Sequence, residues 1–183
     1  MMTIPDTDRF VVFTGGPGSG KTTLLAALAA AGFRTMPEGG RAIIRDQQEI
    51  DGPALPSRDP LAFAEQMLGW ELRSWREAAA GAGPVLFDRG VPDVLGYLKL
   101  CGIAAPAHME RAARRYRYHR RVFIAPPWEA IYAHDAERVQ SFVQAQATHA
   151  ALAEVYAGLG YELVPLPLAG IEERVRFVTG RLG

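Results

Sequence analysis

Gly15-Gly16-Pro17-Gly18-Ser19-Gly20-Lys21-Thr22 is the stretch on which the reading of this chain turns. Glycines at 15, 16, 18 and 20 remove side-chain bulk, so successive backbone N–H groups can converge on one concavity suited to phosphate oxygens. Lys21 then offers a cation to the β- and γ-phosphates, and the Thr22 hydroxyl a ligand for Mg²⁺. The stretch is a complete Walker A phosphate loop, with expected nucleotide contacts from Gly15 and Gly16 through Pro17, Gly18, Ser19, Gly20, Lys21 and Thr22 to Thr23. Such a loop needs a strand before it and a helix after it. Arg9 to Thr14, β-branched and aromatic, reads as the strand, and the Ala/Leu-rich run Lys21 to Ala31, stopped by Gly32, reads as the helix. The helix N-terminus adds a dipole that favours anions.

Outward from the loop the alternation continues. Phe33 to Met36 reads as a second strand, and Pro37 leads into a helix expected over Glu38 to Glu49. Ile50 to Pro60, rich in proline and polar residues, reads as a loop. Asp59-Pro60 has the order of a helix start, and the segment to Ala80 places Leu61, Ala64, Leu68, Leu72 and Trp75 on one face. Val85 to Phe87 is the third strand, and helices are expected near Pro92 to Cys101 and Ala107 to Arg117. Arg121 to Ala125 is the fourth strand, and Glu129 to Gly158 reads as mainly helical with an interruption near Asp135 to Gln140. Tyr161 to Leu166 is the fifth strand, and Ile171 to Leu182 a last helix with Val175 and Val178 inward. Strands separated by helices give a parallel sheet with right-handed crossovers, covered on both faces. The expected fold is an α/β three-layer P-loop NTPase sandwich, five parallel strands in the order 2-3-1-4-5, forming a single domain over residues 1–183.

The formal net charge is zero, which removes any bulk argument for nucleic-acid or membrane binding. Cys101, the only cysteine, excludes an intramolecular disulfide and a Cys-rich zinc site, and reads as a buried thiol. No run of roughly 18 apolar residues occurs, and a cytoplasmic location is expected. Of the 20 basic residues only Lys21 and Lys99 are lysines. Where arginine is the habitual cation, a lysine inside the phosphate loop looks chemically specified.

Asp88 ends an apolar strand, where ligands of open α/β sheets gather, and reads either as the Walker B aspartate holding Mg²⁺ or as a helix cap. Arg89 suits a transferring phosphoryl group or an acceptor anion, with a structural salt bridge as its plainer role. Glu38 and Arg41, three apart, would share a helix face: Glu38 to accept a proton from an acceptor hydroxyl and Arg41 to anchor the acceptor, or the two as an exposed ion pair. Arg138 lies in the polar stretch His134 to Arg138 and reads either as a lid arginine, the lid spanning about 130–145, or as a solvated turn. Arg111, Arg114, Arg115, Arg117, Arg120 and Arg121 read as a solvated face, or as contacts to phosphate, RNA or lipid. Trp128, after two prolines, reads either as a packing residue at a corner or as lining of the acceptor pocket.

The chain lacks the Asn/Thr-Lys-x-Asp motif of a GTPase, since Lys99 sits in Tyr97-Leu98-Lys99-Leu100-Cys101. Arg89 occupies the place where an AAA+ motor carries a water-activating glutamate. A small kinase-type fold remains. The chain resembles the NadR-type, ribosylnicotinamide kinase-like P-loop family, often labelled AAA-type ATPases. The resemblance rests on the phosphate loop, Pro37-Glu38 with Arg41, Phe87-Asp88-Arg89-Gly90 with Pro92-Asp93 and Tyr97, Pro126-Pro127-Trp128, Tyr132 with Asp135 and Arg138, Tyr156 with Gly160-Tyr161, and Pro165 with Arg174-Val175. Glu38 and Asp88-Arg89 are more distantly similar to the acidic and acidic-Arg sites of deoxynucleoside kinases. Asp88-Arg89 and Glu38 around a full phosphate loop point to Mg²⁺ and ATP as cofactors and to phosphorylation of a small hydroxylated metabolite, such as a nucleoside, by a monomer or homodimer, while the resemblance itself names no acceptor. The other readings are a nucleotide-dependent binding module and a slow ATPase.

Overall fold

The computed structural model describes residues 7–131 and 141–182. At its centre lies β1 (Phe10–Gly15), six consecutive buried residues whose side chains alternate between two separate cores. Phe10 and Val12 enter one core, and Val11 and Phe13 enter the other. This is the two-sided burial that a period-two strand produces when helices cover both faces of its sheet.

The remaining strands are β2 (Arg34–Met36), β3 (Val85–Asp88), β4 (Arg121–Ala125) and β5 (Glu162–Pro165), in the order β2-β3-β1-β4-β5. Every pairing is parallel, with Phe13 opposite Asp88 in β3 and Phe123 in β4. Both the strand order and the two-faced cover match the sequence expectation. The helices are α1 (Lys21–Ala30), α2 (Gly40–Glu49), α3 (Pro60–Ala80), α4 (Val91–Leu100), α5 (Ala107–Arg115), α6 (Phe142–Gly158) and α7 (Ile171–Leu182). Buried residues of α1 and α7 join Val11, Phe13, Leu86 and Phe123 in one core. Those of α3, α4 and α5, with Tyr156 of α6, join Phe10, Val12, Val85 and Phe87 in the other.

Several boundaries differ from the expectation, each for a local reason. The second helix begins at Gly40, not Glu38. A Cβ on Gly39 would lie 2.5 Å from the Trp70 ring of α3, whose Nε1 donates to the Pro37 carbonyl at 3.0 Å. The chain therefore runs this close to Trp70 only because Gly39 has no side chain, and Glu38 stands before the helix. On α3, Asp59 caps the N-terminus by accepting from the Ala62 N–H at 2.9 Å, as its order before Pro60 implied. Leu61 is nevertheless exposed, and Phe63 takes the buried place instead. The fifth helix stops at Arg115, and α6 starts at Phe142, preceded by a reciprocal Ser141–Gln144 capping box. Cys101, expected inside, is exposed. No helix among the described residues is long and apolar enough to cross a membrane.

Candidate active site

The phosphate loop joins β1 to α1 at the C-terminal edge of the sheet. Gly15 has φ +133, and a Cβ there would lie 2.6 Å from the Ala125 carbonyl, so only glycine lets the loop leave the sheet beside β4. Gly20 caps α1 with φ +79 and no side-chain hydrogen bond. The loop is braced from inside by Ser19, whose hydroxyl donates to the Gly16 carbonyl at 2.8 Å. It is braced from outside by Arg174 of α7, which donates from Nη1 to the Ser19 carbonyl at 2.9 Å and from Nε to the Pro167 carbonyl at 2.8 Å. The Arg174 guanidinium also lies 5.1 Å over the Trp128 ring, giving Trp128 a packing role.

Lys21 is buried and folds back over the loop, its Nζ donating to the Gly15 and Gly16 carbonyls at 3.3 and 3.4 Å. Burial, with the nearby Arg89 cation, lowers its pKa to about 8. A polyphosphate in the loop would supply the counter-charge that burial withholds. Thr22 and Thr23, on the first turn of α1, are exposed.

Asp88 ends β3 with one carboxylate oxygen buried and without a hydrogen-bond partner. Its pKa is raised, chiefly by burial and against the pull of Lys21. An orphaned carboxylate oxygen at this edge, with the Thr22 hydroxyl on the facing helix, is a donor set of the hard-oxygen kind that suits Mg²⁺. It is not a helix cap: the N-terminus of α4 is satisfied by Asp93, whose Oδ2 accepts from the Gly90 N–H at 2.9 Å. Among the described residues no group of three or more His, Cys, Asp or Glu side chains forms a protein-only metal cage.

Arg89 follows in the left-handed region at φ 74, a conformation that costs a non-glycine residue energy and that its partners hold in place. Its N–H donates to the Phe13 carbonyl at 2.9 Å, its Nε to Glu38 at 2.8 Å and its Nη1 to Asp93 at 3.1 Å. Burial alone would lower the Arg89 pKa, but Asp93 and Glu38 raise it, so the guanidinium is permanently charged. Burial would raise Glu38, yet the charge and hydrogen bond of Arg89 outweigh it and leave the carboxyl below its ordinary value. The expected Glu38–Arg41 pair on one helix face is therefore replaced. Glu38 pairs with Arg89 across two connections, while Arg41 sits exposed on α2 at the cavity rim.

Two residues not singled out as candidates in the sequence complete the site. Asp93 is a hub: Thr14 donates to Oδ1 at 2.6 Å and Tyr156 to Oδ2 at 2.6 Å, beside its bonds to Arg89 and Gly90. Its place four residues after Arg89, in the first turn of a helix, was the available signal. Glu71 is 6 % exposed on the inner face of α3, and its pKa is raised well above the carboxylate range, first by burial and then by Asp93. Its spacing from Leu68 and Trp75 places it on that buried face, so the periodicity already held the signal.

Glu38, Arg41, Glu71, Arg89 and Asp93 line one cavity of about 640 Å³, walled by α2, α3, α4 and α6 and reaching Pro17 of the phosphate loop. Arg138 and residues 132–140 of the anticipated lid, including Tyr132 and Asp135, lie outside the described residues. The arginine run disperses. Arg114 pairs with Glu110 at 3.2 Å, Arg117 lies 4.0 Å over the Tyr161 ring, and Arg111, Arg115, Arg120 and Arg121 are exposed.

A family model described as an AAA domain matches residues 10–174. No curated protein matches the sequence. Among solved structures, a deoxyadenosine kinase from M. mycoides superposes with a TM-score of 0.69 at 10% identity, covering 94% of this chain and 98% of that one. Thymidylate kinase from Ehrlichia chaffeensis gives 0.64 at 14% identity, covering 96% and 98%. A NadR protein in complex with NR gives 0.68 at 18% identity, covering 95% of this chain but 52% of that one, so this chain spans about half its length. At these identities the likeness is one of fold. It bears out the resemblance carried by the sequence motifs.

Proposed function

We propose, from the premise that this chain belongs to the AAA domain family, that it is a phosphotransferase moving the γ-phosphoryl group of Mg²⁺-ATP to a hydroxyl of a small metabolite such as a nucleoside. The carrying observation is the Glu38–Arg89–Asp93 ion-pair fan, which lines a cavity that also reaches the phosphate loop. That cavity, of about 640 Å³, leaves room for an acceptor beside the phosphate loop. The deoxyadenosine and thymidylate kinases that share the fold support the same reading.

In this mechanism the backbone of Gly15 to Gly20 and the Lys21 ammonium hold the triphosphate. Glu38 accepts a hydrogen bond from the acceptor hydroxyl and aims its oxygen at the γ-phosphorus. As the new O–P bond forms, the bond from phosphorus to the β,γ-bridging oxygen breaks, ADP leaves, and the hydroxyl proton passes to Glu38 and on to solvent. The lowered pKa of Glu38 suits orientation more than early proton removal, which a loose phosphoryl-transfer transition state does not demand. Arg89, fixed by two carboxylates, places a permanent positive charge at the acceptor side. Thr22 and Asp88 would hold Mg²⁺, which when bound neutralises charge developing on the phosphate oxygens. Arg138 is assigned to the same phosphates by its motif alone.

The test is ADP formation from Mg²⁺-ATP with and without a panel of nucleosides and sugars, in wild type, Lys21→Ala and Glu38→Gln. Acceptor-dependent turnover should appear in wild type, vanish in Lys21→Ala, and fall on the order of 100-fold in Glu38→Gln with ADP affinity kept. ADP release indifferent to every acceptor and to Glu38→Gln would show a plain ATPase instead.

A further inference from the structure

Glu71 has no part in the phosphoryl transfer just described, yet it is the cavity's most conspicuous side chain. It is buried to 6 % exposure, lines the cavity, and among the described residues its carboxyl has no hydrogen-bond partner. A buried polar group is normally satisfied within the protein, and one left open toward a cavity is a vacancy for a ligand. Its surroundings decide its charge. Asp93, Asp88 and Glu38 lie within electrostatic reach, and the cation acting on it, Arg89, is already committed to Glu38 and Asp93. A further ionised carboxylate would have no counter-ion, so the acid form is the one that this pocket accommodates.

A neutral carboxyl group presents a carbonyl acceptor and an O–H donor side by side, the same pattern as a primary amide. The same cavity is also lined by apolar and aromatic side chains, among them Met67, Val94, Tyr97 and Leu152. A flat, uncharged group with one donor and one acceptor on its edge fits both features, its faces against the walls and its edge against Glu71.

Resting on the phosphotransferase reading above, we propose that Glu71 is a specificity-determining residue that pairs with an uncharged, amide-like edge of the acceptor, so that the substrate class is a nucleoside with a neutral base. The hydroxyl end of such an acceptor meets Glu38 and Arg89, and the base end meets Glu71.

The experiment compares wild type, Glu71→Gln and Glu71→Leu with adenosine, inosine, cytidine, thymidine, base-free D-ribose and the cationic 1-methyladenosine, reading acceptor-dependent ADP formation, ADP affinity and melting temperature. Wild type should use at least one neutral nucleoside and discriminate against D-ribose. Glu71→Gln, which keeps one donor and one acceptor, should stay within about threefold of wild type. Glu71→Leu should lose roughly 10- to 100-fold in kcat/KM, mainly through KM, with ADP affinity unchanged. Equal activity in wild type and Glu71→Leu would overturn the inference and leave the phosphotransferase standing. So would loss in Glu71→Gln as deep as in Glu71→Leu, or preference for 1-methyladenosine, since either reports an ionised Glu71. Turnover with D-ribose and no nucleoside would overturn it too. ATP binding without turnover of any acceptor would remove both readings.

Discussion

Arg89 carries three contacts that lysine cannot reproduce together: a left-handed backbone donating to β1, and a planar fork bridging Glu38 and Asp93. Arg89→Lys keeps the charge but loses the fork, so kcat should fall on the order of 100-fold while ADP affinity, measured by calorimetry, changes little. Glu71 makes a different kind of prediction, one of pH. Its folded pKa lies well above the unfolded carboxylate value, so the native state holds a proton that the unfolded chain releases. Stability is therefore complete below the unfolded value and declines as pH rises toward the folded one, by about 1.4 kcal/mol per pH unit within that window. Glu71→Gln removes the dependence. Melting curves of the two proteins should coincide near pH 4 and separate in favour of the variant toward neutrality, with Asp93, Arg89, Asp88 and Glu38 unchanged as its charged neighbours.

Helices wall the cavity, and here packing matters more than propensity. A Cβ on Gly96 of α4 would lie 2.6 Å from Leu152 of α6, itself 2 % exposed, so the two helices meet at closest approach beside the cavity. Gly96→Val should cost roughly 1–3 kcal/mol in chemical denaturation and raise the acceptor KM. Tyr156→Phe removes the 2.6 Å bond that ties α6 to Asp93, leaving that buried carboxylate a donor short, at a cost of about 1–3 kcal/mol. The elements were largely legible in the sequence because glycines, prolines and caps such as Asp59 act locally, within a turn. The start of α2 was not, because the chain before it is held by the Trp70 indole at the Pro37 carbonyl, some thirty residues along the chain. The same limit applies to the partners of Glu38: its spacing to Arg41 is visible in the sequence, while Arg89 reaches it only through the adjacency of β2 and β3.

For the molecule as a whole, binding energy and stability are linked. Saturating Mg²⁺-ADP at about 100 times its Kd should stabilise the native state by about 2.7 kcal/mol and raise the melting temperature by roughly 5 to 10 °C. Excess EDTA should shrink that shift, because it leaves the orphaned Asp88 oxygen unserved. The parallel order around β1 was readable from the alternation of strands and helices, and the phosphate loop from its own eight residues. The support of that loop was not, since Arg174 grips Ser19 across 155 positions of sequence. That long reach also sets an order of events during translation. The strut follows the phosphate loop by 155 positions, so a nascent chain presents the glycines without their brace until α7 has left the ribosome. A nucleotide that needs the braced loop would therefore engage only chains already made through α7.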